Sequence, residues 1–194
     1  MTAAAVSPFK VASVLLQYPT IALFDGLGEL ARAVDEGPRA TREAFGKMVD
    51  WLSRTSPDAV AAHYVETFDL RRRCALYLTY YRYGDTRKRG MAMVQFKAAY
   101  RAAGLIPAEE ELPDYLPMVL DVAAAHRADL ELLLRALRDA GSPYADVVAG
   151  VCAVLPGLRR PDLALVRRLA EQGPPGEEVG LEPFAPPSYL GRTR

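Results

Sequence analysis

An all-α, single-domain bundle of about nine or ten helices is the fold this sequence predicts. Three observations carry that reading. Four windows place apolar residues at i, i+3, i+4 and i+7, one face of a helix: Phe45/Met48/Val49/Leu52, Ala61/Tyr64/Val65/Phe68, Leu130/Leu133/Leu134/Leu137 and Val148/Val151/Cys152/Leu155. Ser7-Pro8, Ser56-Pro57 and Ser142-Pro143, with Gly104, Gly141 and Gly157 just beyond apolar runs, punctuate the chain as helix starts and ends. No stretch alternates apolar and polar residues between hairpin turns, so no sheet is expected.

The elements follow in order. Ser7-Pro8 opens a helix over 8–18, because proline is preorganised for the first helical position and loses no needed N–H there. A looser stripe, Leu23/Leu27/Leu30/Val34, gives a helix over 20–35, and the first strong stripe gives 39–54. Ser56-Pro57-Asp58 starts 57–69 in the same way as Ser7-Pro8. Helices over 73–83 and 86–103 flank Gly84, and Gly104 sits where a left-handed C-terminal residue is wanted. Within 86–103, Met93, Phe96 and Tyr100 lie opposite Met91, Val94 and Ala98; a helix apolar on two sides predicts a central position. Asp114 is positioned to cap 114–126, and 128–140 ends before Gly141. Ser142-Pro143 opens 143–155, with Gly157 beyond it, and a last helix covers 161–172. Residues 1–172 are thus read as one helical domain. Residues 173–194, rich in proline and glycine, are read as a mobile tail whose Phe184 or Tyr189 rests on the bundle.

Charge narrows the function classes. Of 194 residues, 24 are Lys or Arg and 24 are Asp or Glu, so whole-chain attraction to nucleic acid or an anionic membrane is not expected. The N-terminal apolar stretch has no basic residues ahead of it, contains Lys10 and stops at Pro19. It reads as neither a signal peptide nor a membrane span, and a cytoplasmic protein without membrane insertion is expected. Cys74 and Cys152 read as buried free thiols.

Catalytic and cofactor motifs are missing: no phosphate loop, dinucleotide fingerprint, HExxH, GxSxG or EF-hand loop occurs. His63 and His126 have no second histidine at i+3 or i+4, so each reads as a packed or solvated helix residue. No cofactor, metal or catalytic residue is expected. Two segments nevertheless stand out. Residues 64–104 carry Tyr77, Tyr80, Tyr81 and Tyr83 within seven positions, and seven basic residues between Arg71 and Arg89. Basic residues interleaved with aromatics can grip single-stranded nucleic acid, so a helical nucleic-acid-binding regulator using 71–89 is one reading. Locally, Gly84 can end one helix, Asp85 or Thr86 can cap the next, and Arg87 can pair with Asp85 or Asp69. The second segment, EEELPDYLPMVL, packs large apolar residues around Pro113 and Pro117. An enzyme using Asp114 with Tyr115 would lack a second acid, a metal cluster or a phosphate cradle.

These two segments, YVETFDLRRRCALYLTYYRYGDTRKRGMAM and ELPDYLPMVL, closely resemble the NarJ/NarW family of nitrate reductase assembly chaperones, historically termed delta subunits. The likeness is densest over 64–93 and 111–121, and the motif LTYYxYGDTRxRG, Leu78 to Gly90, is long and specific. In the wider TorD/DmsD-like group a histidine stands where this chain has Tyr115, which favours the nitrate reductase branch over chaperones of TMAO or DMSO reductases. The resemblance implies a TorD-like, non-enzymatic chaperone. Its partner would be the N-terminal segment of the catalytic (alpha) subunit of respiratory nitrate reductase, held until the molybdenum cofactor is inserted, with cofactor-delivery proteins as further partners. It also implies a client-peptide site at Tyr77, Tyr81, Asp85, Arg87, Arg89, Asp114, Tyr115 and Leu116.

Overall fold

Phe45, Met48, Val49 and Leu52 are all buried, and the helix that carries them organises the molecule. The computed structural model describes residues 6–106, 111–122, 125–173 and 175. Along them run α1 (Pro8–Leu15), α2 (Ile21–Asp25), α3 (Leu27–Glu36), α4 (Arg39–Arg54) and α5 (Pro57–Tyr64). A π-helical turn, Val65–Asp69, and a 3-10 turn, Arg72–Cys74, lead into α6 (Leu78–Tyr83) and α7 (Arg87–Ala102). Then come α8 (Leu116–Asp121), α9 (Arg127–Asp139), α10 (Tyr144–Val154) and α11 (Arg160–Gln172). Among the described residues there is no strand, only one isolated antiparallel bridge between Tyr77 and Tyr115. The predicted all-helical bundle is therefore observed.

The core is built from the predicted stripes. α10 lies along α4, with Val147, Val148 and Val151 buried in the same cluster as the α4 stripe. Gly150 lets the two helices approach: a Cβ there would sit 2.4 Å from the Phe45 ring. α9 presents Leu130, Leu133, Leu134 and Leu137, all buried, and α1 closes the other side with Val11, Ala12, Leu15 and Leu16. Tyr144 is almost wholly enclosed and is ringed by Trp51, His63, Tyr64 and Phe68.

Several boundaries depart from expectation, each for a local reason. The helix expected over 20–35 breaks at Gly26, which serves as both C-cap of α2 and N-cap of α3. The helix expected over 73–83 is shortened to α6, because the chain bends at Leu76 and Tyr77 is extended to make the bridge with Tyr115. The one expected over 114–126 is reduced to α8 for the same reason, and residues 123–124 lie outside the described set. Gly104 and Gly141 have the expected left-handed φ of +71° and +65°, but Gly157 does not. Ser56 caps α5 through its side chain, whereas the Ser142 hydroxyl turns instead to His63 Nε2, at 2.9 Å.

The largest correction concerns α7. It is not central. Only Ala92 and Tyr100 are buried along it, while Met91 and Val94 are 75% and 60% exposed. Its Phe96 side packs on the bundle; the opposite apolar edge faces outward. The expectation of a mobile tail, with Phe184 or Tyr189 on the bundle, falls outside the described residues, which end at Pro175.

Candidate functional site

The two unusual segments of the sequence meet in space. Leu78 N–H donates to the Asp114 carbonyl at 3.1 Å and Leu116 N–H to the Leu76 carbonyl at 2.7 Å, which sets Tyr77 and Tyr115 opposite each other with ring centroids 5.7 Å apart. Two extended residues bonded in this way turn both rings to one side and fix their spacing.

Beneath the bridge lies a polar chain. Asp114, which is 0% exposed, accepts from Thr79 N–H at 3.1 Å and from the Thr79 hydroxyl at 2.5 Å. Thr79 is the second residue of α6, so Asp114 satisfies one of the free N–H groups at that helix start. It does not cap its own helix, α8, as the sequence suggests; Tyr115 stands at that position with no capping side chain. Thr79 Oγ1 accepts in turn from Arg89 Nε at 3.0 Å, and Arg89 Nη2 lies 3.7 Å from Asp114 Oδ2. Arg89 Nη1 reaches Asp85 Oδ1 at 3.4 Å, and Arg72 pairs with the other Asp85 oxygen. Asp85 is thus an ion-pair hub rather than a helix cap. Among the described residues its partners are Arg72 and Arg89, not Arg87, and Arg71 pairs with Glu66.

Above this chain is an open recess of about 120 Å³ lined by Arg72, Ala75, Tyr77, Tyr80, Asp85 and Arg89. Arg89 lies over the Tyr77 ring at 5.9 Å and Arg72 over Tyr80 at 5.7 Å, geometry suited to cation–π attraction. Tyr77 donates to Glu111 at 3.1 Å, and burial with the Glu111 charge pushes its phenol up to about 12. Burial also raises the Tyr115 phenol, whose oxygen is 3.2 Å from that of Tyr64. Both rings therefore remain neutral near pH 7.

The eight candidate residues divide by burial. Tyr77, Asp85, Arg89 and Tyr115 surround or adjoin the recess and keep some exposure, and Arg87 is exposed at the start of α7. Tyr81, Asp114 and Leu116 are buried. The Tyr81 hydroxyl lies 3.0 Å from the Arg73 carbonyl and 2.8 Å from that of Ala75, tying the extended strip to α6. Sequence reasoning missed Thr79, Arg72 and Tyr80. Thr79 had no local signal, because its partner is far along the chain; Arg72 and Tyr80 lay inside the noted cluster.

Other chemistry finds little support in the geometry. Of the seven basic residues between 71 and 89, Arg71, Arg72, Arg82 and Arg89 are paired with carboxylates, which weakens the cationic track a nucleic acid would need. Among the described residues no three His, Cys, Asp or Glu side chains converge as a metal site would require. No described helix is long and apolar enough to cross a membrane.

Comparison with known proteins shows the family to which these segments belong. The family model for the nitrate reductase delta subunit matches residues 35–149, which includes both segments of the bridge. The chain is 41% identical over 156 residues to the nitrate reductase-like protein NarX of Mycobacterium tuberculosis, covering 74% of this chain and 24% of that protein. It is 37% identical over 118 residues to the probable nitrate reductase molybdenum cofactor assembly chaperone NarJ of Bacillus subtilis, covering 60% of this chain and 64% of that one. The NarJ chaperone of Escherichia coli strain K12 is 35% identical over 117 residues, 59% of this chain and 50% of its own. The matches thus span about a quarter of NarX and half to two thirds of the NarJ proteins. With more than half of its length inside the family model, the chain belongs to the nitrate reductase delta subunit family, the NarJ/NarW group.

Proposed function

We propose that the chain is a non-enzymatic assembly chaperone for respiratory nitrate reductase. It binds the N-terminal segment of the catalytic subunit in the cytoplasm and holds the apoenzyme for molybdenum cofactor insertion before membrane attachment. One observation supports the reading: the two stretches that carry the family resemblance converge on the Tyr77–Tyr115 bridge and frame an aromatic recess lined by Arg72, Arg89 and Asp85. An amphipathic peptide helix fits such a surface, its apolar side on the tyrosines and its polar side on Arg87, Arg89 and Asp85. Three or four apolar anchors contribute roughly 5–12 kcal/mol gross. Ordering the peptide removes a few kcal/mol, leaving about micromolar affinity, suited to a chaperone that must release its client.

The burial pattern supports a division of roles in this reading. Tyr77, Tyr115, Asp85, Arg87 and Arg89 contact the client, while Tyr81, Asp114 and Leu116 hold the recess in shape. Titration calorimetry with a synthetic N-terminal peptide of the catalytic subunit tests both. Tyr77→Ala should weaken binding about tenfold, equivalent to ~1.4 kcal/mol, with little change in melting temperature. Wild-type affinity in Tyr77→Ala, Tyr115→Ala and Arg87→Ala together would place the groove elsewhere. No binding by the wild type would overturn the choice of client.

A further inference from the structure

The outer edge of α7 is both apolar and basic. Met91, Val94 and Ala98 are exposed on it, and α7 as a whole carries Arg87, Lys88, Arg89, Lys97 and Arg101 with no acidic residue. Of these five cations only Arg89 is ion-paired among the described residues. The chain itself returns to this place. After α11 it leaves Gly173 beside Tyr80, Tyr81 and Arg135, and Pro175 then lies against Gly84 in the turn before α7. The contact is close: a Cβ on Gly84 would sit 1.8 Å from the Pro175 carbonyl oxygen. Directly after Pro175 the sequence is GEEVGLEPF, residues 176–184, with three glutamates, no basic residue, and Val179, Leu181 and Phe184.

We propose that residues 176–184 dock along the outer edge of α7, placing Glu177, Glu178 and Glu182 against its unpaired cations and Val179, Leu181 and Phe184 on Met91 and Val94. Charge and hydropathy match on both sides, and the starting point is already set by the Pro175–Gly84 contact. Reach is sufficient. Nine extended residues span up to ~30 Å, against ~24 Å for a sixteen-residue helix. Because the tail is tethered beside its target, even a weak contact is favoured by a high effective concentration. Docking removes an exposed methionine–valine strip from water and offsets most of the charge of a helix whose own charged residues are all positive. This inference is independent of the client-binding site and is tested without any client.

The experiment uses the full chain with Met91→Cys. Cys74 and Cys152 are buried, and burial raises both thiols, so the introduced cysteine is the reactive one. Its labelling by an uncharged maleimide is compared with that of the same chain carrying Glu177→Lys, Glu178→Lys and Glu182→Lys. The charge-reversed tail should label about fivefold faster or more, since the rate follows the uncovered fraction. With the native tail, labelling should accelerate as salt rises from ~0.05 to ~0.5 M. Equal rates in the two chains overturn the proposal. So does protection that grows with protein concentration, which would assign the strip to a second copy of the chain.

Discussion

Asp114 caps a helix to which it does not belong. Its Oδ2 atom accepts from both the backbone N–H and the hydroxyl of Thr79, at 3.1 and 2.5 Å, across 35 positions of sequence. The pair joins the two segments more tightly than the flanking bridge alone, because Asp114 is fully enclosed and receives two hydrogen bonds from one residue. Asp114→Ala should lower folding stability by ~3 kcal/mol, combining a lost cap with buried donors left unpaired. Asp114→Asn, which keeps an acceptor, should lose less. Urea denaturation measures both, and a loss in Asp114→Ala below ~1 kcal/mol would contradict the cap across segments.

Gly150 offers a test by reversal of sign. Glycine to alanine inside a helix ordinarily stabilises by ~1 kcal/mol. Here the new methyl would meet the Phe45 ring at 2.4 Å, in the contact between α4 and α10. Gly150→Ala should therefore destabilise by ~1–3 kcal/mol through overpacking. A higher melting temperature in this variant would show that the two helices lie further apart.

The Tyr81 hydroxyl serves two main-chain carbonyls, those of Arg73 and Ala75. Tyr81→Phe removes that donor and keeps the ring. Stability should fall by ~1–2 kcal/mol, while affinity for the client peptide stays near wild type. Reduced affinity with unchanged stability would move Tyr81 into the contact surface.

His63 supplies a pH dependence. Its Nε2 lies 2.9 Å from the Ser142 hydroxyl and 3.2 Å from that of Thr67, and the ring stacks on Tyr144. Burial lowers its pKa below the ordinary 6.5, with Glu66 opposing and Arg71 assisting. The unfolded chain thus takes up the proton first as pH falls. The stability associated with His63 is present above about 6.5 and is lost on acidification through the ordinary value toward the lowered one, with a slope no steeper than ~1.4 kcal/mol per pH unit. In His63→Gln that part of the pH profile should flatten. An unchanged profile between pH 7 and 5 would show that the imidazole does not contribute.

The fold class and most of the core were legible in the sequence, because helical burial repeats locally. The stripes of α4 and α9 are buried at every position named, and that of α10 at three of four. The NarJ/NarW likeness was legible too, since it resides in contiguous motifs. Asp85 and Asp114 show where local reasoning stops. A carboxylate near a helix start is ordinarily a cap for that helix, yet Asp85 is drawn to Arg72 and Arg89, and Asp114 to Thr79. The partner of Asp114 is chosen by which segments meet, at the Tyr77–Tyr115 bridge, whereas those of Asp85 lie within its own segment and are set by the turn between α6 and α7. Likewise, apolar residues on two sides of α7 pointed to a central helix, and only tertiary packing decided that one side is left open. Periodicity reports that a face is apolar; which neighbour covers it depends on how the other helices fill the space around it.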